Sequence, residues 1–160
     1  MNIIISILGI LSVSFGASLA KSWQEVGDCI KEIPDICAKE HPETPPETLA
    51  CYKDEGIIQK FDAAMEPFSQ CLVDRGFEET CSKIGAPPDS YEHEDGFGAC
   101  WFQKLQANCL KDCKPIKGRK NIKSFIKCFY KTMEEPVMEF MDCRGYDYDS
   151  DEFEEFEGEY

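Results

Sequence analysis

Histidine is nearly absent: His41 and His93 are the only two in 160 residues. Neither belongs to a Cys-x-x-Cys pair or a Cys/His cluster at ligand spacing, so a structural zinc site is not expected. No Gly-x-Ser-x-Gly elbow occurs, which removes one common setting for a hydrolytic serine. His93 has Ser90, Glu92, Glu94 and Asp95 nearby, but it lies in a Pro/Gly-rich stretch and reads as a solvated histidine. No Asn-x-Ser/Thr sequon is present, so N-glycosylation is not expected. Alternating Val/Ile/Thr runs are missing, which leaves little or no sheet. Basic residues are missing from the first twenty positions and from the last sixteen.

What is present begins with an apolar run, Ile3 to Ile10, in "MNIIISILGILSVSFGASLA". It ends in small residues and precedes the first acid, Glu25. This reads as a secretory signal peptide over 1–20, cut after Ala20 or, as a second choice, after Ala17. The run is short and interrupted by Ser6, Gly9, Ser12 and Ser14, which argues against a membrane anchor. No second run of spanning length follows. The mature chain is expected to be secreted, extracellular and monomeric.

Ten cysteines all follow that leader: Cys29, Cys37, Cys51, Cys71, Cys81, Cys100, Cys109, Cys113, Cys128 and Cys143. An even number in an oxidising compartment implies a disulfide framework of five bridges. Roughly 945 pairings are possible, so the connectivity is not readable. Cys109 and Cys113 lie four apart on an expected helix. They share a face without suiting a bond to each other, so each should reach a different segment.

Between Trp23 and Arg144 the apolar pattern has a helical period. "WQEVGDCIKEI" sets Trp23, Val26, Ile30 and Ile33 on one stripe, punctuated by Pro34. "PPETLACYKDEG" starts a helix at Pro46 and Glu47 and ends it at Gly56. "IIQKFDAAMEPFSQCLVDRG" continues to Gly76, with Pro67 expected to kink or split it. Ile84 to Gly98 reads as the longest loop, placed to divide two halves of one core. "ACWFQKLQANCLKDC", "IKSFIKCFYKTMEE" and "PVMEFMDC" read as three further helices. The fold class is therefore all-α: a small disulfide-stapled bundle of five to seven short helices over 21–144, with a disordered acidic tail over 145–160. "CYKDEGIIQKFDAAMEPFSQC" and "CFYKTMEEPVMEFMDC" share an order of Cys, aromatic, Lys, Met-Glu, Pro and Cys. Duplication and convergent patterning both account for that echo.

"DICAKEHPETPPETLAC", "FDAAMEPFSQCL" and "FGACWFQKLQANCLKDCKPIKGRKNIKSF" resemble the insect 27 kDa haemolymph glycoproteins over about Asp35 to Phe125. The shared elements are Cys-x-Lys before a Pro, Phe-x-x-Ala-x-x-Pro near a Cys, and Leu-Gln before a Cys, followed by a later Cys, Pro and Asn-Ile. This chain departs from them in length, glycosylation and its acidic tail. The resemblance implies an extracellular, helical, disulfide-bonded arthropod protein. It brings no catalytic residues and no cofactor.

Charge is concentrated at the end. The net charge is −14, and eight acids lie between Asp147 and Glu159. Nucleic acid and anionic membranes are disfavoured as partners, and a basic protein surface is favoured. Asp147, Asp149 and Asp151 begin like an EF-hand loop, but Glu152 stands where its glycine belongs and Gly158 where its glutamate belongs. The tail should repel itself and stay unfolded. Phe153, Phe156 and Tyr160 would share one side of a partner-induced helix. With Asp151, Glu152, Glu154 and Glu155 they form the candidate partner-binding set. "SDEFEEFEGEY" is similar to the acidic tails of leech-type thrombin inhibitors. Tyr146 and Tyr148 stand in a context suited to sulfation. The basic turn at Lys111, Lys114, Lys117, Arg119 and Lys120 reads as an anion site, as the tail's internal partner or as a solvated turn.

Three functional readings stay open. The first is a non-enzymatic secreted protein of the haemolymph kind. The second is a venom or salivary effector (a toxin, or a protease or coagulation inhibitor) acting through its tail. The third is a small-ligand carrier, which would need an apolar cavity between the helices.

Overall fold

The computed structural model describes residues 21–85 and 96–146. The signal peptide, His93 with its acidic neighbours, and the tail from Asp147 lie outside the described residues. Within them, six α-helices make an all-α, disulfide-stapled bundle.

Ser22 opens helix α1 (Trp23–Ile30) with a capping box. Its Oγ accepts from the Glu25 amide at 3.2 Å, and the Glu25 carboxylate accepts from the Ser22 amide at 2.7 Å. Two residues later the chain restarts as α2 (Ile33–Glu40), with Pro34 in the first turn. The expected single stripe therefore divides. Proline is favoured at a helix start, where its missing N–H would find no intrahelical acceptor anyway. Trp23 and Val26 enter one core cluster and Ile33 enters another, while Ile30 packs against both.

Helix α3 (Pro46–Tyr52) stops short of Gly56. The reason is Asp54, whose carboxylate accepts from the Ile57 amide at 2.9 Å and starts α4 (Glu55–Asp74). Pro67 does not split α4, which runs for 20 residues. Ala64, Phe68 and Leu72 are buried on either side of the proline, and that burial carries the helix across one missing hydrogen bond. Gly76 ends it at φ 89°, with the Phe77 amide bonding to Leu72 and the Gly76 amide to Val73. This pair of bonds is the glycine-terminated Schellman stop.

Helix α5 (Gly96–Lys104) begins within the stretch expected to be loop and runs into a π-helical turn, Leu105–Cys109. The Leu110 amide closes that turn on the Leu105 carbonyl at 2.9 Å. The wider turn ends the helix before Cys113, which is not helical as expected. Two-residue strands β1 (Ser82–Lys83) and β2 (Lys114–Pro115) then pair in parallel, beside the Cys81–Cys113 bridge.

The expected break at Pro136 is also absent. Helix α6 (Arg119–Arg144) is one 26-residue element, with Pro136 buried inside it. Disulfides Cys71–Cys128 and Cys51–Cys143 grip it on both sides of the proline. Gly145 repeats the glycine stop of α4, with the Tyr146 amide bonding to Met141. Helices are thus not uniformly short: α4 and α6 are long, antiparallel and the main packing pair. The first echoing segment runs from the end of α3 through α4 and the second lies in α6, and the echo's four cysteines bond to each other in reverse order.

All ten cysteines are paired. The remaining bridges are Cys29–Cys109 and Cys37–Cys100. Cys109 and Cys113 reach different segments, as their spacing implied.

Candidate functional site

The bundle does not fill its own interior. A pocket of about 430 Å³ lies among α1, α4, the α5/π-turn segment and α6. That volume falls within the range of small-ligand sites, roughly 300–1,000 Å³. Its walls follow from the sequence pattern of the two long helices. On α6, Phe129, Met133 and Val137 succeed each other at four-residue spacing, so they form one stripe. Opposite, Ile57, Phe61 and Met65 of α4 do the same.

Aromatic side chains close one end. Tyr52, the last residue of α3, stacks on Phe97 at 4.7 Å and meets Phe140 edge-on at 4.9 Å. Trp101 stands 6.1 Å from Tyr52 and lines the pocket, with Phe102 beside it. Phe102 is a large apolar residue left exposed. The other tryptophan, Trp23, is buried against Phe68 and Phe125 outside the pocket.

Gly27 supplies the room on the α1 side. A Cβ there would stand 3.7 Å from Met65 and 4.0 Å from the Asp62 Oδ1. Two charged residues line the pocket, Lys31 and Asp62. The Lys31 ammonium bonds Asp62 Oδ2 at 2.7 Å and reaches Asp28 Oδ1 at 3.4 Å. The hydrogen bond that Lys31 donates to Asp62 is the main reason its pKa is raised above its ordinary value, with Asp28 adding to it.

Other sites named from the sequence are less developed. Tyr146 is described and exposed; the Arg144 guanidinium lies over its ring at 5.7 Å and over Tyr52 at 5.6 Å. Tyr148 and the candidate binding set Asp151, Glu152, Phe153, Glu154, Glu155, Phe156 and Tyr160 lie outside the described residues. In the basic turn, Lys114 pairs with Glu78 at 2.7 Å, while Lys117 and Lys120 are exposed. One group of potential metal ligands exists among the described residues, Glu40, His41 and Cys100. Cys100 is bonded to Cys37, so it offers no thiolate and the group is not a three-ligand site. No helix is long and apolar enough to cross a membrane among the described residues.

The pocket itself was not foreseen in residue terms. Its signal was available as excess: α4 and α6 carry more large apolar side chains than one packed seam uses.

Comparison with protein-family models, with curated proteins and with solved structures finds no match to this chain.

Proposed function

We propose that this chain is an extracellular, non-enzymatic carrier that holds one small apolar or amphipathic molecule in the pocket between α4 and α6. The observation that carries the proposal is the pocket's size and apolar lining within a bundle closed by five disulfides. Close packing is the rule for protein interiors, and voids larger than a water are few. The pocket opens to solvent, so its apolar walls face water until something covers them, and covering them is favourable. Disulfides stabilise the bundle independently of core density. The haemolymph-protein resemblance and the signal-peptide reading fit a protein that circulates or is secreted with its cargo.

The test is a titration with a neutral fluorescent probe, N-phenyl-1-naphthylamine, followed by its emission and by quenching of Trp101. A Trp23→Phe background isolates the Trp101 signal. Saturable one-to-one binding is expected, and Val137→Trp should abolish it while leaving the helical circular dichroism intact. Absence of saturable binding, or equal binding by Val137→Trp, refutes the carrier reading.

A further inference from the structure

We infer that the pocket's ligand carries a cationic, amine-type head that seats at Asp62, an inference that rests on the carrier reading above. The pocket is amphipathic in a specific way: its lining is apolar and aromatic except for the Lys31–Asp62 pair and the hydroxyl of Tyr52. Of the polar groups along the wall, only this ion pair offers a charged head an opposite charge. What the pair accepts depends on the charges around it.

Lys31 serves two carboxylates, Asp62 at 2.7 Å and Asp28 at 3.4 Å. The trio carries one positive and two negative charges. An anionic head would have to take Lys31 from Asp62, which sets three anions around one ammonium. A cationic head meets the opposite situation. It takes over Asp62, and Lys31 keeps Asp28, so no carboxylate loses its partner. The exchange is local, because Lys31 contacts both acids already. Asp62 is about one-third exposed and Asp28 is mostly exposed, so water solvates either carboxylate while Lys31 moves between them.

Three further features favour a cation. Asp62 bonds Lys31 through Oδ2, and at Gly27 no side chain screens its Oδ1. Phe61, Phe129 and Trp101 also line the pocket, and an aromatic ring can present a cation with the negative face of its quadrupole. The net charge of −14 raises the local concentration of cations at any site on the molecule.

The experiment uses the full disulfide-bonded protein and three probes that differ only in the head: octylamine, 1-octanol and octanoate. Each displaces N-phenyl-1-naphthylamine at pH 7 in low salt. Octylamine should bind most tightly and octanoate least, with about a tenfold spread between them. Asp62→Asn should erase the amine's advantage over octanol while leaving octanol binding unchanged. Lys31→Gln, which frees Asp62, should enlarge that advantage. Octanoate binding as well as octylamine overturns the inference, as does an amine preference that survives in Asp62→Asn. If the naphthylamine probe itself shows no saturable binding, the carrier reading falls and the inference falls with it; if the probe binds but octylamine displaces it no better than octanol, the inference alone falls.

Discussion

Replacing Cys51 and Cys143 together by alanine removes the bridge that holds the last turn of α6 against α3. Its two cysteines are 92 residues apart. On the chain-entropy account a cross-link of that span alone would contribute about 4.6 kcal/mol. The other four bridges shorten the loop it closes. The shortest covalent path runs from Cys51 to Cys71, across to Cys128, and on to Cys143, about 35 residues, which lowers the contribution to about 3.8 kcal/mol. For a domain of this size that corresponds to a melting temperature lower by roughly 15 °C. Guanidinium unfolding followed by tryptophan emission measures it, and should also show a larger denaturant slope, because the unfolded chain can expand further. The same variant should bind the naphthylamine probe more weakly, since Cys51, Tyr52 and Phe140 bound the pocket at this end. A loss below about 1 kcal/mol with an unchanged slope would refute the reasoning, for it would mean that the bridge closes no entropic loop of this size.

Pro67→Ala should stabilise the protein by about 1–2 kcal/mol, because the residue is exposed within α4 and the helix penalty of proline, about 3 kcal/mol, outweighs its restriction of the unfolded chain; destabilisation in thermal melts would show that α4 needs its proline. Gly27→Ala should add about 0.5–1 kcal/mol, since its Cβ would make ordinary contacts at 3.7 Å, whereas Gly27→Leu should block probe binding. Acid titration should reveal a modest loss of stability with a defined sign. Lys53 lowers the pKa of Asp35 from 3.8 and Lys114 lowers that of Glu78 from 4.5, while Glu43 is lowered first by its own backbone amide and then by His41. Their contribution is therefore complete above those ordinary values and disappears as pH falls through the lower folded ones. Lysines behave oppositely: Lys31, raised chiefly by Asp62, and Lys60, raised chiefly by Glu139, should lose their contribution only as pH rises beyond 10.5. Asp35→Asn with Glu78→Gln should flatten the acid limb, and an unaltered limb would count against these ion pairs.

Helical class and the use of cysteine were legible because both rest on local rules. Period, composition and compartment logic need no knowledge of distant contacts. Helix ends were legible where a single residue dictates them, as Gly76 does through its positive φ. They were misread where two local rules compete. Pro34 and Pro67 look alike in sequence, yet one opens a helix and the other lies inside one. The difference is the burial of Ala64, Phe68 and Leu72 around Pro67, which no window of sequence contains. The pocket was illegible for a related reason. Phe129, Met133 and Val137 read as core, and only the tertiary arrangement leaves a space between them and Phe61 and Met65. Lys31 and Asp62 are 31 positions apart, and only the packing of α1 against α4 brings them together.

The five bridges share one property of order. Each joins a cysteine at or before position 81 to one at or after position 100. A protease that cuts once between Cys81 and Cys100 would thus release nothing. The product would be a two-chain molecule of unchanged mass apart from one added water, running as a single species on a non-reducing gel and as two fragments after reduction. Internal cleavage there is compatible with this framework at no cost in covalent integrity, and a non-reducing gel would not distinguish the cut form from the intact chain.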